Sequence, residues 1–491
     1  MSEKIYYEPE DAHTLIIGTT RSGKSRKIIL PSIWTIAQSG ESMVLGDPKG
    51  ELYIMTREYL KKMGYEIIVL NLRTPSMGNQ WNMLDMVIQA VDKGDISKAT
   101  EIAWDIASAI VNQKPSNGEP IWQNGEESTI AALILAVCME ADFRFQKHMA
   151  SVYYLLAEYG IPLEDETVPL NEYFNKLPAT HPAKGAFATA RIAPLKTRGS
   201  FFTTALADLR LFSDPNIADM CSKMDHNLKD IGIRKTAVFL IVPDEKVTRN
   251  VLATLYIDQL YTTLVELANE SGGRIPRRVN FIIDEFGNLP PIPQFDKKLT
   301  VAGGRGMRFN MAVQDFAQLE KLYGKNDKTI RGNCHNWIYI LTSDPETAKV
   351  VSERTGQYTV QTESANSSLQ AKGGGSFGSG ASLTGRALFM PDEIMRWPDG
   401  RSLVLRVRKN AAVFAAPDLT KYKANEDFGF TLDKTHNQNV IKERWDNTPV
   451  RKIEETQIWL PEINKGVMAE TKTEVLTNTK ETFSNDEEDF L

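Results

Sequence analysis

The chain has 491 residues, 42% hydrophobic and 24% charged, which is typical of a globular protein with room for two or three domains. A formal net charge of −6 argues against a uniformly basic nucleic-acid surface. Three widely separated cysteines, Cys138, Cys221 and Cys334, indicate neither a disulfide framework nor a zinc site, so we expect buried thiols of a cytosolic protein. The longest apolar run, 129–138, is too short to span a membrane, and no secretory signal begins the sequence.

The first 84 residues have the pattern of a parallel α/β sheet. Short apolar runs predict strands at 14–17, 42–47 and 66–71, and helical spacing predicts helices at 24–38 and 50–63. Pro31 should kink the first helix. Alternation of strands and helices is the beginning of an α/β fold with a mainly parallel sheet.

Helical spacing then replaces the strand pattern. Helices are expected at 96–111, 126–142 and 149–159, and no convincing strand occurs between 85 and 211. Buried-strand patterns resume at 236–242, 279–283, 307–313, 337–341 and 402–407. The sequence therefore predicts an α/β domain in two parts, 1–84 and 212–450, around an inserted all-α domain at 85–211.

Two further segments lack the pattern of a packed core. Residues 366–385 are dense in Ser and Gly, which predicts a flexible loop. Residues 451–491 are polar and acid-rich, so we expect a mobile tail. Residues 481–491 hold five acids and no base, and removing them changes the formal charge from −6 to −1. The body is thus nearly neutral, and local basic patches remain possible.

A phosphate-binding loop is the strongest motif. The pattern G-x-x-x-x-G-K-[ST] follows the first strand and precedes a helix. It consists of Gly18, Thr19, Thr20, Arg21, Ser22, Gly23, Lys24 and Ser25. Backbone N–H groups of such a turn and the helix N-terminus cradle phosphate oxygens, with Lys24 on the β/γ-phosphates and Ser25 on Mg²⁺. The alternative is a Gly-rich turn with a surface lysine.

An acidic pair ends the buried strand at 279–283. Asp284 is expected to hold Mg²⁺ through water, and Glu285 to polarise the attacking water as a general base. Alone, two acids after an apolar strand are equally typical of a surface turn that starts a helix. Together with the loop at 18–25, they predict an ATP-hydrolysing site.

Other polar residues at strand ends are weaker candidates. Gln314 follows the strand at 307–313, where it could sense the γ-phosphate or orient water, or simply face solvent. Arg305 and Arg308 could complete a neighbouring subunit's site as a finger, contact DNA phosphate, or be solvated loop arginines.

Two further groups of charged residues have both a functional and a structural interpretation. Asp47 and Lys49 could approach a nucleotide or an adjacent subunit, but a plain strand-to-helix turn is as good an explanation. A basic cluster near the last strand is a candidate phosphate-contacting patch or a solvated strand edge. Its members are Arg396, Arg401, Arg406, Arg408 and Lys409, and alternation puts Arg406 and Arg408 on one strand face.

Several motifs in this order resemble the type IV secretion coupling proteins of the TraG/TraD-like family, relatives of the FtsK/HerA motor ATPases. The similarity runs from about His13 to Pro417. Besides the motifs at 18–25, 284–285 and 304–314, it rests on 47–51, 82–85 and 388–393.

The resemblance implies a RecA-like nucleotide domain with an all-α domain, assembled as six subunits around a channel. It implies ATP and Mg²⁺ as ligands, hydrolysis coupled to export of relaxase-bound plasmid DNA, and roles for specific residues. By the family's motifs, Lys24 and Ser25 contact phosphate and Mg²⁺, Asp284 and Glu285 are the acidic pair, Gln314 is the sensor, and Arg305 is the trans arginine. A shorter gap before Gln314 leaves Arg308 open as the finger.

Most family members begin with transmembrane helices, whereas here the phosphate loop begins at residue 18. We therefore expect a cytoplasmic protein, held at the inner face of the bacterial membrane by a separate membrane subunit. Relaxase proteins and single- or double-stranded DNA are the expected partners. The alternatives are a cytosolic double-stranded DNA translocase of the FtsK/HerA type and a docking platform switched by nucleotide.

Overall fold

The computed structural model describes residues 8–112, 120–243, 247–370 and 374–462. The described chain divides into two compact units. An α/β unit comprises residues up to Met83 and the stretch Asp219–Glu454, and a helical unit comprises Leu84–Asn112, the described residues from 120 to Ala218, and residues 455–462.

The α/β unit is built on a nine-stranded sheet. Its strands are β1 (Thr14–Gly18), β2 (Ser42–Gly46), β3 (Glu66–Asn71), β4 (Thr236–Ile241), β5 (Val279–Ile283), β6 (Met307–Val313), β7 (Asn336–Leu341), β10 (Arg401–Arg406) and β11 (Ala412–Ala415). Strands β8 (Gln357–Gln370) and β9 (Gly374–Ala387) form a separate two-stranded sheet. The large sheet has the order β11-β10-β7-β1-β6-β5-β2-β4-β3, and only the β7–β10 and β10–β11 pairings are antiparallel.

Helices connect these strands. In the α/β unit they are α1 (Leu30–Ser39), α2 (Glu51–Lys62), α12 (Asn250–Glu270), α13 (Phe295–Ala302), α14 (Phe316–Tyr323), α15 (Asp327–Asn333), α16 (Pro345–Thr355), α17 (Pro391–Met395), α18 (Lys423–Asp427) and α19 (Lys434–Asp446). The helical unit contains α3 (Asp85–Asp92), α4 (Ile96–Val111), α5 (Pro120–Glu140), α6 (Met149–Tyr159), α7 (Pro169–Lys176), α8 (Pro182–Ala186), α9 (Ala188–Ile192) and α10 (Leu195–Leu209). Helix α11 (Pro215–Met220) lies where the chain passes between the units.

The central strands are buried along their whole length. Every residue of β2, β4 and β5 is buried, as expected for strands with helices on both faces of a parallel sheet. This explains why their sequences read as continuous apolar runs rather than alternating ones. The predicted α/β class with a mainly parallel central sheet is confirmed, and all eight predicted strands are present.

Strand register brings the candidate site together. Ile17 of β1 pairs with Val313 of β6, and Ile283 of β5 pairs with Met311 of β6. The residues that follow these pairs in the three parallel strands therefore leave the sheet at its carboxyl edge. That edge is where open α/β sheets bind ligands.

The prediction of a flexible loop at 366–385 is wrong, because the described residues of this segment belong to two paired strands. Residues 357–370 and 374–387 form an antiparallel hairpin, in register from Gln357 with Ala387 to Gln370 with Gly374. Its described side chains are mostly exposed, Leu383 among them at 76%. Ladder hydrogen bonds, which need no apolar side chain, form the hairpin, so a pattern search for buried strands does not detect it.

The helical unit packs around α5. Residues Ile130 to Cys138 of this helix are fully buried on every side, which accounts for an apolar run without helical periodicity. In the described part of this unit, no strand occurs. Within the described ranges, no helix combines the length and apolarity needed to cross a bilayer.

The first twelve residues of the predicted mobile tail are packed. Arg451 pairs with the buried Asp219, and Trp459 is only 7% exposed. Its backbone N–H donates to Ser151 Oγ (3.1 Å), and the Tyr159 hydroxyl donates to the carbonyl of Pro461 (2.8 Å). Residues 451–462 therefore differ from the expected tail, and residues 463–491 lie outside the described part of the chain.

Candidate active site

The glycine-rich turn at 18–25 has the backbone of a phosphate cradle. Arg21 has φ 64° and Gly23 has φ 89°, so both are in the left-handed region. A Cβ on Gly18 would lie 2.5 Å from Ser22 Oγ and 3.0 Å from Lys24 Cγ, so a larger residue there would have to displace these side chains. The turn is fixed to the sheet where Thr19 N–H donates to the carbonyl of Leu341 at the end of β7 (3.1 Å).

Polar groups of this turn are free to receive a ligand. Among the described residues, the N–H groups of Thr20, Arg21 and Gly23 have no hydrogen-bond partner. The buried Ser22 hydroxyl likewise has no hydrogen-bond partner among the described residues. Backbone N–H groups without a protein partner, together with a buried unpaired hydroxyl, fit an anion such as a phosphate group. The residues present therefore fit the triphosphate that the motif predicts.

Lys24 is held over the turn. The lysine is 7% exposed, and its Nζ donates to the carbonyls of Gly18 (2.6 Å) and Thr19 (3.3 Å). Burial lowers the pKa of this ammonium, while Asp284 and Glu285 act in the opposite direction. A buried cation with two carboxylates nearby is poised to exchange carbonyl contacts for phosphate oxygens.

The two halves of the site meet at Ser25 and Asp284. Ser25 Oγ donates a 2.6 Å hydrogen bond to Asp284 Oδ2, across 259 positions of sequence. A hydroxyl and a carboxylate at this spacing are oxygen ligands of the type that Mg²⁺ prefers. Both would hold the ion beside the phosphate cradle.

Glu285 has an unusual backbone. Its φ of 57° is in the left-handed region, which costs a non-glycine residue free energy. Its carboxylate Oε2 accepts a hydrogen bond from Asn288 Nδ2 (2.8 Å) and lies in a partly exposed position. This partial exposure leaves the carboxylate accessible to water.

Gln314 follows β6, which lies between β1 and β5 in the sheet. Its own N–H donates to Gln318 Oε1 (3.1 Å), and a Cβ on Gly287 would lie 2.5 Å from that same oxygen. Gln318 therefore fills the space between the end of β6 and the turn after Glu285. Sequence reasoning missed it, although its position one helical turn after Gln314 was an available signal.

Arg305 and Arg308 lie at the other edge of the sheet. Both precede or begin β6, whereas the phosphate loop follows β1, a parallel neighbour. Arg305 Nη1 donates to the Val265 carbonyl (3.3 Å) and to Asn269 Oδ1 (3.0 Å) near the end of α12. Arg308 donates to the Pro9 carbonyl (2.8 Å). Neither arginine is brought to the phosphate loop of its own chain.

The turn after β2 is built as a helix start. Asp47 is 2% exposed, and its Oδ2 accepts the N–H of Tyr53 in α2 (2.8 Å). Burial raises the pKa of this carboxyl to about 7. Gly50 has φ 76°, and Lys49 is exposed. Of the two interpretations left open by the sequence, the contacts of Asp47 are those of the strand-to-helix turn.

The basic cluster near β10 does not form one face. The strand ends at Arg406, which pairs with Glu8, and Arg408 follows in the left-handed region with φ 64°. The alternation that put Arg406 and Arg408 on one strand face is therefore wrong, because the strand stops between them. Arg396 pairs with Asp392 on its own helix, α17.

Two ion pairs that the sequence did not reveal hold the helical turn Ser25–Ile29, which follows the phosphate loop. Arg26 makes two hydrogen bonds to the Asp418 carboxylate (2.6 and 2.7 Å), which hold the pKa of that carboxyl well below its usual value. Lys27 pairs with Asp399. Because these partners are 392 and 372 positions away, no local pattern could have indicated them.

A family model described as "Type IV secretory system Conjugative DNA transfer" matches residues 2–416, and so includes both halves of this site. The chain belongs to this family. A conjugal transfer protein TraG of Escherichia coli is 26% identical over 79% of this chain and 62% of its own length. A VirD4 protein of Rhizobium radiobacter is 25% identical over 81% of this chain and 55% of its own length. The chain thus spans about 60% of such relatives.

Solved coupling-protein structures share the fold. The bacterial conjugative coupling protein TrwBdeltaN70, in an unbound form, matches with a TM-score of 0.63 at 18% identity, covering 84% of this chain and 86% of that one. Plasmid coupling protein TrwB in complex with ADP and Mg²⁺ also matches with a TM-score of 0.63, at 18% identity over 86% and 89% of the chains. At this identity, the likeness supports the α/β fold of the conjugative family.

Proposed function

We propose that this chain is the ATP-hydrolysing coupling protein of a conjugative type IV secretion system, recruiting relaxase-bound DNA and driving DNA transfer. The observation that carries the proposal is the 2.6 Å contact between Ser25 and Asp284, which joins a phosphate cradle to an acidic pair. Family membership supplies the conjugative context. The TrwB complexes with ADP and Mg²⁺ and with an ATP analogue support nucleotide as the ligand of this fold.

Binding of ATP would use polar groups of the loop at 18–25 and of the acidic pair after β5. The free N–H groups of the loop and its buried Ser22 hydroxyl would receive phosphate oxygens, and the Lys24 ammonium would neutralise their charge. Ser25 and Asp284 would hold Mg²⁺, which offsets the charge that develops on the phosphates during transfer. These groups belong to the loop after β1, to the start of the helical turn Ser25–Ile29 and to the turn after β5.

Hydrolysis would use the partly exposed carboxylate of Glu285. As a general base it accepts a proton from the water that attacks the γ-phosphorus, which makes the water a better nucleophile. Gln314, at the end of the strand between β1 and β5, would orient that water or sense the γ-phosphate. Its backbone is held by Gln318, so a change in Gln314 could be passed to α14.

Assembly of several subunits would supply the nucleotide site with an arginine, because the chain does not bring Arg305 to its own phosphate loop. Arg305 is anchored to α12 at the amino edge of β6, away from the phosphate loop of the same chain. In a ring of six, an arginine of this kind would act on the site of the next subunit and neutralise transition-state charge. We therefore keep Arg305 as the trans finger. Arg308 stays the second candidate.

The proposed partners are inferred from the family and not from a particular surface of this chain. DNA and the relaxase are proposed as cargo, and a membrane subunit of the secretion channel as the docking site. Recovery of that subunit with the full chain, from membranes of a conjugating strain, tests the last point. Recovery of relaxase alone would leave the membrane subunit without support.

The function is tested by mating. A strain lacking this protein is complemented with wild-type chain, Lys24→Ala or Glu285→Gln, and the frequency of plasmid transfer is measured. We expect both variants to reduce transfer by at least ~100-fold while accumulating normally. Wild-type transfer by Glu285→Gln would exclude a hydrolytic motor and favour a nucleotide-switched platform. Normal transfer without the protein, together with lost plasmid segregation, would favour a cytosolic double-stranded DNA translocase.

A further inference from the structure

One stretch of the helical unit is strongly basic although the chain as a whole is acidic. Residues 173–207 contain five basic residues and no acidic residue, in a protein of net charge −6. They are Lys176, Lys184, Arg191, Lys196 and Arg198. A concentration of one sign of charge on a short stretch produces a local positive potential, which attracts an acidic ligand.

Apolar side chains are exposed within this basic stretch, where α9 gives way to α10. Ile192 is 80% exposed and Leu195 is 44% exposed, and the flanking Arg191 and Lys196 are exposed as well. We call these four residues the α9–α10 corner. Scattered exposed apolar residues need no explanation, but a pair flanked by cations is the composition of a site for an acidic, apolar segment.

The corner is rigidly built. Arg198, on the first turns of α10, donates from Nε to the Ala190 carbonyl (2.8 Å) and from Nη2 to the carbonyls of Arg191 (2.7 Å) and Ala193 (2.9 Å). These bonds satisfy carbonyls at and just after the end of α9 and tie the start of α10 to them. A pre-organised surface loses less entropy when it binds a ligand.

The chain itself contains a segment of matching chemistry. Residues 481–491 hold five acids and no base, with aromatic and aliphatic residues placed among the acids. The acids are Glu481, Asp486, Glu487, Glu488 and Asp489, and the apolar residues are Phe483, Phe490 and Leu491. Charge and apolarity are thus both complementary to the corner.

The attachment point of this segment lies on the same unit. Trp459 packs its ring against Tyr173 of α7 (6.2 Å between centroids), and the next residue, Phe174, stacks on Phe187 (4.1 Å) immediately before α9. The described chain ends at Glu462, one residue after Pro461, whose carbonyl accepts the Tyr159 hydroxyl. A linker of about 18 residues reaches ~60 Å at most, so residues 481–491 are within range of the corner.

We propose that residues 481–491 dock in cis on the α9–α10 corner and shield its cations from other anionic ligands. Because the segment is tethered to the unit that carries the corner, its effective concentration is about millimolar, and a weak complex is sufficient. The interaction depends on exposed charges and therefore weakens with salt. The corner becomes available when a competing ligand displaces the acidic segment.

Zero-length cross-linking of the full chain tests the proposal. A carbodiimide joins the carboxylates of residues 481–491 to nearby lysines, and mass spectrometry compares Lys196 with Lys93, an exposed lysine elsewhere on the helical unit. Mixing isotopically light and heavy chains distinguishes cis from trans links. We expect cis links to Lys196 at least ~5-fold above those to Lys93, and a loss of that excess in 1 M salt.

Variants that spare the reacting lysine provide the control. Arg191→Ser and Ile192→Ser change exposed side chains, so the fold should be retained, and each should reduce the Lys196 links several-fold. Equal links to Lys93 and Lys196, or unchanged links in both variants, would overturn the proposal. So would weaker binding of a single-stranded oligonucleotide to Arg191→Ser with unchanged links, because the corner would then be a nucleic-acid surface. None of these measurements depends on ATP hydrolysis.

Discussion

Ser25 and Asp284 share a 2.6 Å hydrogen bond although 259 positions separate them in the chain. The parallel pairing of β1 with β6 and of β6 with β5 brings their two segments together, because all three strands end at one edge of the sheet. Each motif alone is ambiguous. Their contact is what makes them a single site.

Substitution of Asp284 by Asn should impair Mg²⁺ binding more than ATP binding. The amide keeps the shape of the side chain but loses the charge that attracts the ion, so we expect at least ~10-fold more Mg²⁺ for half-maximal ATP turnover. Turnover is titrated with Mg²⁺ at saturating ATP. Asp446→Asn, at an exposed position in α19, is the matched control. An unchanged Mg²⁺ requirement would remove Asp284 from the metal site.

Substitution of Glu285 by Gly should make the protein more stable but abolish its ATP turnover. Glycine adopts φ 57° without steric cost, so we expect the free energy of unfolding to rise by about 1 kcal/mol while ATP turnover is lost. Chemical denaturation measures the first quantity and phosphate release the second. Glu285→Ala, which keeps the Cβ, should lose turnover without gaining stability. Equal stability of the two variants would show that this backbone carries no strain.

The phosphate loop and the central strands could be predicted because their signals are local. A strand buried on both faces is a continuous apolar run, and the motif at 18–25 has a fixed spacing. The hairpin at 357–387 was missed because its Ser- and Gly-rich sequence contains few apolar residues and so lacks the pattern of a buried strand. The packing of Trp459 was missed because the apolar run at 458–460 is too short to give a periodic signal.

Contacts between residues far apart in the chain could not be predicted from the sequence. Nothing near Arg26 or Lys27 indicates Asp418 or Asp399, and nothing near Glu285 indicates its left-handed backbone. The spacing between Arg305 and Gln314 also hides the fact that β6 separates them, with one at each edge of the sheet. Such facts depend on strand order and register, which no single motif encodes.

Arg305 is predicted to act only between subunits. A ring of Arg305→Ala chains has intact phosphate loops but no arginine to act on them, and a ring of Lys24→Ala chains has the arginine but defective loops. Each variant alone should therefore lose at least ~100-fold in ATP turnover. Mixed in equal amounts, they should regain part of the wild-type rate, because some sites then combine an intact loop with an intact arginine. Arg308→Ala replaces Arg305→Ala in the control mixture. Failure of the first mixture to recover activity would leave Arg305 as a structural contact of α12.

His148 makes the stability of the helical unit pH-dependent. It is fully buried, accepts the Ser151 N–H at Nδ1 (3.3 Å) and contacts the Gln457 carbonyl through Nε2 (3.1 Å). Burial lowers the pKa of this imidazole to about 4 from an ordinary 6.5. The unfolded chain binds the proton first as pH falls, so this stabilisation is present above pH 6.5 and is lost towards pH 4.

Over that range, the free energy of unfolding should fall by up to about 3 kcal/mol more in the wild type than in His148→Gln. Urea denaturation at several pH values from 7 to 4.5 measures the difference. Because His13 also has a lowered pKa in both proteins, only the difference between them reports on His148. Parallel pH profiles would contradict the assignment.

ATP binding and phosphate release by purified full-length Glu285→Gln, beside wild type and Lys24→Ala, test the central claim most directly. We predict that Glu285→Gln binds ATP with Mg²⁺ as tightly as wild type but hydrolyses it at least ~100-fold more slowly. Lys24→Ala should fail to bind. Wild-type hydrolysis by Glu285→Gln would show that Glu285 is not the general base of the phosphate loop, and the account of the ATP-hydrolysing site would be wrong.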